Sequence, residues 1–236
     1  MPLMRDSPRA GTGLRAREAG DRGGDAAAAA ESLTRRHFVK QDERPADVAS
    51  LDLLTVDPSL RNLLFTDGTV TRTLEVQALS PVWVDVLDQQ RTHVAGDTAT
   101  GLVAVHGTEA IRRRVAIGVG IGAALIWAES HIVVERLPGE FLNVLGASPE
   151  GIGQSLRTVQ LESWREMLWF GLDVVPSWAG NGAESRVLRR LYRVITLGRP
   201  AMLISESFAV ERQAGSYLLA ERGQSLRPRR TPRRSA

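Results

Sequence analysis

Pairs of β-branched segments joined by short turns recur along this chain and constrain its fold more than any other feature. In each pair, two segments rich in valine, isoleucine and threonine flank a turn that contains glycine or proline, a pattern typical of β-hairpins. The pairs are residues 69–79 with 82–87, 112–119 with 124–136, and 187–197 with 201–210. Successive hairpins with little helix between them predict a mainly antiparallel sheet with helices covering one face.

Signals for helices are short and lie between the predicted strands. Asp57 followed by Pro58 predicts a helix start, because proline is favoured at the first helical position, and leucines follow at helical spacing. Residues 137–145 and 152–156 predict two further short helices. The remaining predictions are a long aromatic-rich strand over residues 160–170 and a polar loop over residues 89–108.

Composition divides this 236-residue chain into a middle part of ordinary domain size and two polar ends. Residues 1–45 hold almost no large apolar side chains, and residues 214–236 end in a run of arginine and proline. Such segments bury too little apolar surface to offset the entropy lost on ordering. We therefore expect a disordered tail over 1–45, one domain over 46–213 and a basic disordered tail over 214–236, with both tails dispensable for activity.

The basic excess of the chain belongs to its ends. The formal net charge is +3, yet residues 46–212 carry 15 arginines against 19 acidic side chains. A nucleic-acid-binding domain is expected to carry its basic surface on the fold itself. Nucleic acid is therefore not an expected partner of the folded core.

Residue content also excludes several kinds of site. The chain has no cysteine, which excludes disulfide scaffolds, thiol catalysis and cysteine-ligated metals. Its four histidines lack the spacing of metal ligands, so we expect no metal site. The longest apolar run, residues 125–134, is far short of a membrane span, and the N-terminus does not resemble a secretory signal. The cytoplasm is the expected location, and a membrane is not an expected partner.

Two charged residues stand out because they share strand faces with apolar side chains. Successive side chains of a strand point to opposite faces, so Arg113 shares a face with its apolar neighbours two and four residues on, and so does Glu206. Burying such charges is costly unless they are paired or matched to a ligand. The interpretations that stay open are an internal Arg113–Glu206 ion pair, a face that is open at the edge of the sheet, and a pocket for a polar ligand.

Two further charged residues are harder to assign by the same alternation. Arg193 shares its parity with Leu191 and Ile195 and is a third candidate for the pocket. Glu129 is ambiguous, because both faces of its segment carry large apolar side chains. Alternation alone does not decide which face of either strand is covered.

Seven short blocks, in order, resemble the chorismate pyruvate-lyase family, and most of all its actinobacterial branch, which makes 4-hydroxybenzoate for glycolipids and other secondary products. No single block is diagnostic, but their order and spacing across residues 51–212 are fairly specific. The blocks are DGTVTRTLE from Asp67, RRVAI from Arg113, AES from Ala128, ERLP from Glu135, GIGQSL from Gly151, YRVI from Tyr192 and GRPAMLISESF from Gly198.

The resemblance implies an α+β fold with a single antiparallel sheet of about six strands, helices on one face and a buried site closed by helical segments. It implies a lyase that cleaves chorismate to 4-hydroxybenzoate and pyruvate without a metal or organic cofactor. By motif position, the family's catalytic glutamate falls on Glu206 and its substrate-carboxylate arginine on Arg113. A backbone N–H that contacts the substrate falls on Ile152, beside Gly153.

One departure from the family pattern concerns the second substrate carboxylate. The quinone-biosynthesis branch has a second site arginine on the strand where this chain has Glu129. Arg193 or Arg72 is the candidate replacement. Two other functions stay open, namely a non-catalytic sensor of small aromatic acids with the same fold, and a lyase-like enzyme with a different substrate or product isomer. A sensor that regulates transcription needs a DNA-binding domain, and residues 1–45 are too short to form one.

Overall fold

The computed structural model describes residues 13–147, 151–180 and 185–210, with side chains described from residue 24 onward. The strands are Val82–His93 (β1), Glu109–Val119 (β2), Ala124–Val133 (β3), Trp164–Val174 (β4), Arg186–Thr196 (β5) and Arg199–Ala209 (β6). The helices within these ranges are Gly13–His37 (α1), Pro58–Phe65 (α2), Val70–Ala78 (α3), Gly96–Leu102 (α4), Gly139–Ala147 (α5) and Ile152–Thr158 (α6).

The six strands form one sheet in the order β1-β2-β3-β6-β5-β4, and every neighbouring pair is antiparallel. The sheet therefore consists of two three-stranded meanders that meet where β3 pairs with β6. Helices α5 and α6 lie in the connection between the two meanders. This architecture confirms the α+β prediction of a single antiparallel sheet of about six strands.

Apolar side chains fill both faces of the sheet, but the two cores differ in size. The larger core joins the sheet to α2, α3, α5 and α6 and includes Leu63, Leu74 and Phe141. On the opposite face, α4 packs Leu102 towards Leu203 in a smaller core. The face of the sheet that α2, α3, α5 and α6 cover holds the cavity described below.

Residues 69–79 were expected to form a strand, and the structure corrects this prediction. They form α3, which buries Val70 and Leu74 one turn apart while Val76 remains exposed. Burial at i and i+4 selects a helix, and it outweighs the preference of valine and threonine for strands. The predicted polar loop over 89–108 is also wrong, because β1 continues to His93 as an edge strand and α4 follows.

Within the segment expected to be a disordered tail, the described residues 13–45 include a helix and a stretch that packs against β4. Helix α1 ends at His37, and the next residue, Phe38, is buried with its ring 4.7 Å from that of Phe170. The side-chain amide of Gln41 donates to the backbone oxygen of Phe170 (2.9 Å) and accepts from its N–H (3.0 Å). Residues 38–49 thus cover the edge of β4, which would otherwise expose unpaired backbone groups. The predicted basic tail over 214–236 lies outside the described residues.

None of the helices in the described ranges combines the length and the hydropathy that crossing a membrane requires.

Candidate active site

A narrow cavity of about 60 Å³ lies between the sheet and two covering segments, residues 68–71 and 151–153. Strands β2 to β6 each contribute at least one polar or small residue to the lining of the cavity, and β1 contributes Val84. The side chains from the sheet are Val84, Arg113, Val115, Ile117, Ala128, Ser130, Arg165, Tyr192, Ile204 and Glu206. The lining from the sheet is thus mostly apolar, with charged groups from β2, β4 and β6.

Strand pairing explains why Arg113 and Glu206 reach the same cavity although they are far apart in sequence. Arg113 is opposite Ser130 on β3, and Glu206 on β6 is opposite Ala128, two residues earlier on β3. Residues directly opposite each other in a sheet share a face, as do residues two apart on one strand. The structure therefore brings these two sequence-identified residues together on the face that the helices cover.

The guanidinium of Arg113 is buried, and its contacts include two oxygen atoms of β1 and α5. It donates to the backbone oxygen of Leu145 in α5 (3.1 Å) and to the side-chain oxygen of Gln89 in β1. Burial lowers the pKa of Arg113 below its ordinary value. An arginine nevertheless stays protonated under ordinary conditions, so the cavity holds a fixed cation at this end.

Glu206 has a different partner from the one that the sequence suggested. Its carboxylate is paired with Arg190 of β5, with Nε 2.8 Å from Oε2, and Arg190 is fully buried. Arg190 also donates to the backbone oxygens of Leu63, Leu64 and Thr66 at 2.7–2.9 Å. These oxygens lie at the end of α2, where helical carbonyls lack intrahelical partners. Arg190 therefore fixes Glu206 and ties α2 to the sheet.

Tyr192 completes the surroundings of the Glu206 carboxylate. Its hydroxyl donates to Oε1 at 3.0 Å, and its ring lines the cavity. Burial raises the pKa of the Tyr192 phenol, and the nearby negative charge of Glu206 raises it further. The phenol therefore stays protonated and remains a donor to the carboxylate.

Arg193 does not reach this cavity, which corrects its assignment as a substrate-binding residue. Its partner across β6 is Leu203 of the opposite core, and its guanidinium pairs with Glu166 and donates to the backbone oxygen of Gly101 in α4 (3.3 Å). Arg72, the other candidate for the second carboxylate, is exposed and lines a neighbouring groove beside Arg157. Neither residue is a lining residue of the cavity.

Glu129 also lies on the face away from the cavity. It accepts from Arg114, and its Oε1 lies 3.3 Å from Nε2 of His131. Hydrogen bonding to His131, followed by that to Arg114, lowers the pKa of the Glu129 carboxyl to about 2. On β3 the residues that face the cavity are Ala128 and Ser130, so the departure noted at Glu129 does not place a carboxylate in the site.

Sequence reasoning missed two arginines on the covered face, Arg190 and Arg165. Arg190 belongs to the face of β5 opposite to the one that carries Arg193, and alternation could not rank the two faces because both are apolar. Arg165 lies near the start of β4, next to the exposed Trp164, and lines the cavity. The available signal for Arg165 was its position two residues before the apolar Met167, because residues two apart on a strand share a face. The structure shows that Met167 is buried.

The two covering segments touch each other above the cavity. A Cβ atom on Gly153 would lie 2.9 Å from both the methyl and the hydroxyl of Thr69, so only glycine allows this approach. Ile152 and Gly153 begin α6, where the first N–H groups of a helix have no intrahelical acceptor. Both residues line the cavity, and the contact of this N–H with the substrate stays a prediction. In the described ranges, no three carboxylate or histidine side chains are grouped so that they could hold a metal ion.

Comparison with known proteins identifies the family. The family model described as chorismate pyruvate-lyase Rv2949c-like matches residues 64–214. The chorismate pyruvate-lyase of Mycobacterium leprae is 29% identical over 162 residues, covering 66% of this chain and 77% of that protein. The protein of the same name from Mycobacterium tuberculosis is 26% identical over 165 residues, covering 66% and 82%.

Solved structures with a similar fold include one whose name is not chorismate pyruvate-lyase. PhnF from Mycobacterium smegmatis superposes with a TM-score of 0.51 at 9% identity, over 62% of this chain and 66% of that one. The separate effector domain of PhnF gives 0.50 at 10% identity, over 61% and 90%. At this identity the likeness shows the fold alone. The family match covers the sheet, the cavity and both covering segments, and the chain belongs to the Rv2949c-like chorismate pyruvate-lyase family.

Proposed function

We propose that the protein cleaves chorismate to 4-hydroxybenzoate and pyruvate in the cavity between the sheet and the covering segments. The observation that carries the proposal is that Arg113 and Glu206 line one buried cavity. Chorismate is a dianion with a ring hydroxyl, so a buried arginine and a buried carboxylate match its two kinds of polar group. Family membership and the names of the mycobacterial relatives support the same activity.

The reaction converts the cyclohexadiene ring of chorismate into an aromatic ring. The proton on ring C4 is removed, and its bonding electrons form the C3–C4 double bond. The bond between C3 and the ether oxygen breaks, and the electron pair leaves with the enolpyruvyl group. Protonation of the released enolate at carbon gives pyruvate, so the proton lost from the ring balances the one gained by the leaving group.

In this proposal Arg113 binds a substrate carboxylate through two parallel N–H bonds. Glu206 either accepts the C4 proton or accepts a hydrogen bond from the C4 hydroxyl. Arg190 and Tyr192 fix the Glu206 carboxylate, so its orientation is set before the substrate binds. The backbone N–H of Ile152, beside Gly153, supplies a further contact from above. Aromatisation provides most of the driving force, so positioning and charge matching suffice without a cofactor.

The small volume of the cavity requires the covering segments to move. About 60 Å³ is well below the roughly 300–1,000 Å³ typical of ligand pockets. Chorismate therefore needs residues 68–71 and 151–153 to separate before it can bind, and their return excludes water from the ring during the reaction.

The test is to incubate the purified full-length protein with chorismate and to identify the products by mass spectrometry and NMR. The proposal expects 4-hydroxybenzoate and pyruvate in equal amounts, formed in proportion to protein concentration. A different hydroxybenzoate isomer would support the enzyme with altered chemistry. Chorismate or an aromatic acid that binds but is not consumed would favour the sensor function and overturn the proposal.

A further inference from the structure

We propose that Arg165 binds the second carboxylate of the substrate, the one on the enolpyruvyl group, and so makes the site selective for the dianion. This inference rests on the proposed function. In this chain β3 offers no arginine for this role, because Ala128 and Ser130 are its residues that face the cavity. Arg165 enters the same cavity from β4, a different strand on the other meander.

The surroundings of Arg165 suit an anionic ligand. One terminal N–H₂ group donates to the backbone oxygen of Asp67. The Nε atom is buried, and in the described part of the chain it has no hydrogen-bond partner. Arg165 also forms no ion pair with a carboxylate of the described residues. A buried cationic donor without an acceptor costs stability, and a ligand carboxylate would remove that cost.

The other arginine near this end of the cavity is already occupied. The Nε of Arg190 donates to Glu206, its Nη2 lies 2.7 Å from the same carboxylate oxygen, and its Nη1 donates to three backbone oxygens at the end of α2. It cannot turn to a ligand without leaving Glu206 uncompensated. Arg165 is therefore the cation at this end that a ligand can use.

The contact between Arg165 and Tyr192 indicates which carboxylate it meets. The Arg165 guanidinium carbon lies 5.9 Å from the centre of the Tyr192 ring, and the Tyr192 hydroxyl donates to Glu206. Arg165 and Glu206 thus flank the same side chain. Arg113 lies instead beside β1 and α5, where it contacts Gln89 and Leu145.

The geometry of chorismate matches this separation of the two arginines. Its C4 hydroxyl is adjacent to the C3 ether, so the enolpyruvyl carboxylate lies at the same end as the group that Glu206 meets. The ring carboxylate on C1 is para to C4 and points to the opposite end, towards Arg113. Arg165 therefore meets the carboxylate that leaves with pyruvate, and Arg113 meets the one that stays on the aromatic product.

This division of roles gives the test its readout, because substrate and aromatic product differ in one carboxylate. In Arg165→Gln, kcat/KM for chorismate should fall about 30-fold or more, mainly through KM, as expected for the loss of a charged contact in a desolvated site. The Kd of 4-hydroxybenzoate, measured by calorimetry, should stay within about threefold of wild type. Arg165→Lys should recover part of the lost kcat/KM because it keeps the charge but not the planar fork.

Arg193→Gln is the matched control, since it removes an arginine of similar burial from the opposite face of the sheet. Its kcat/KM should stay near the wild-type value, and circular dichroism and thermal melting on all variants check that they fold. A second measurement needs no variant: wild-type protein should bind 3-(carboxymethoxy)-4-hydroxybenzoate, which carries a second carboxylate, more tightly than 4-hydroxybenzoate.

Three results would overturn the inference. Equal losses of chorismate and 4-hydroxybenzoate affinity in Arg165→Gln would show that Arg165 only supports Asp67 and Tyr192. An unchanged kcat/KM would remove it from the site, and so would equal wild-type affinities for the mono- and dicarboxylate probes. Failure of the proposed function looks different, because wild-type protein would then not consume chorismate at all.

Discussion

The carboxylate of Glu206 is paired with Arg190, whose Nε lies 2.8 Å from Oε2, while Arg113 lies in the same cavity and contacts Gln89 and Leu145. Pairing with Glu206 and binding a ligand carboxylate are therefore assigned to two different arginines, Arg190 and Arg113. A single Arg113–Glu206 pair would have combined these two roles. Arg190 neutralises and orients the carboxylate from the sheet side. Arg113 lies in another part of the cavity, where its contacts include Gln89 of β1 and Leu145 of α5.

Replacing Arg190 should destabilise the fold strongly. Arg190→Met leaves Glu206 as a buried charge without its cation and frees three carbonyls at the end of α2, for a loss of about 3–5 kcal/mol in unfolding free energy. Urea unfolding followed by circular dichroism measures the change. The neighbouring Arg189→Met is the control, because its pair with Asp173 is partly exposed and should be worth about 1 kcal/mol or less. Similar losses in both variants would contradict the special role of Arg190.

Replacing Arg113 should weaken the binding of both substrate and aromatic product. Arg113→Ala removes a buried, charge-assisted carboxylate contact, which is commonly worth about 2–5 kcal/mol. Its neighbours Arg112 and Arg114 pair with Asp88 and Glu129 on the other face, so their alanine variants should bind 4-hydroxybenzoate nearly as wild type does. Calorimetric titration of the three variants decides the matter. Equal losses at all three positions would show that the cavity is not the binding site.

Replacing Glu206 tests chemistry separately from structure. Glu206→Gln keeps the size of the side chain but removes its charge, so the single-turnover rate with chorismate should fall about 100-fold or more. The melting temperature should also fall, because Arg190 loses its buried counter-ion. Binding of 4-hydroxybenzoate should largely survive in the folded protein. A destabilised variant whose folded fraction turns over at the wild-type rate would remove Glu206 from the mechanism.

Removal of residues 1–45 should reduce stability, contrary to the expectation from composition. That truncation deletes Phe38 and the two hydrogen bonds by which Gln41 covers the edge of β4. Loss of a buried phenylalanine alone commonly costs about 3–5 kcal/mol. A protein lacking only residues 1–23 is the control, and it should unfold at a higher urea concentration than the shorter one. Identical midpoints for the two would show that residues 24–45 contribute nothing to the stability of the fold.

The Glu129 cluster should contribute stability that depends on pH and leaves activity unchanged. The folded-state pKa of Glu129 is about 2, below its ordinary value of 4.5, so its stabilisation is present above pH 4.5 and disappears as the pH falls towards 2. Glu129→Gln should therefore lower the unfolding free energy by about 1–3 kcal/mol at pH 7 and by much less near pH 2. Thermal melts across this range measure it. A change in kcat/KM would mean that Glu129 acts on the cavity after all.

Local pattern in the sequence was sufficient for some features of the site. Arg113 and Glu206 were identified because side chains alternate along a strand, and alternation is a property of consecutive residues. The hairpins β2–β3 and β5–β6 were predictable for the same reason, since both their strands and their turns are contiguous in the chain. Helix α3 was not, because its β-branched residues favour a strand locally and only the burial of Val70 and Leu74 selects a helix.

A single extra residue in β6 decides that Glu206 lies opposite Arg190 and not opposite Arg189. Ile195 pairs with Pro200, but Val194 pairs with Met202, so Ala201 has no partner and the register shifts by one. Regular pairing from the turn at Gly198 would have placed Glu206 opposite Arg189, on the face that also carries Arg193. The bulge places it opposite Arg190 instead, since a shift of one residue exchanges the two faces of a strand.

The sequence by itself determined the antiparallel sheet, the hairpins β2–β3 and β5–β6, and the two charged residues that alternation places among apolar neighbours. Only the tertiary structure decided that Arg165 and Arg190 line or support the cavity, that Glu129 and Arg193 face away from it, and that residues 38–49 cover β4. The reason is physical. Alternation and turn preference are encoded in neighbouring residues, whereas the register across a bulge and the covering of an edge depend on contacts between residues far apart in the chain, such as Gln41 with Phe170.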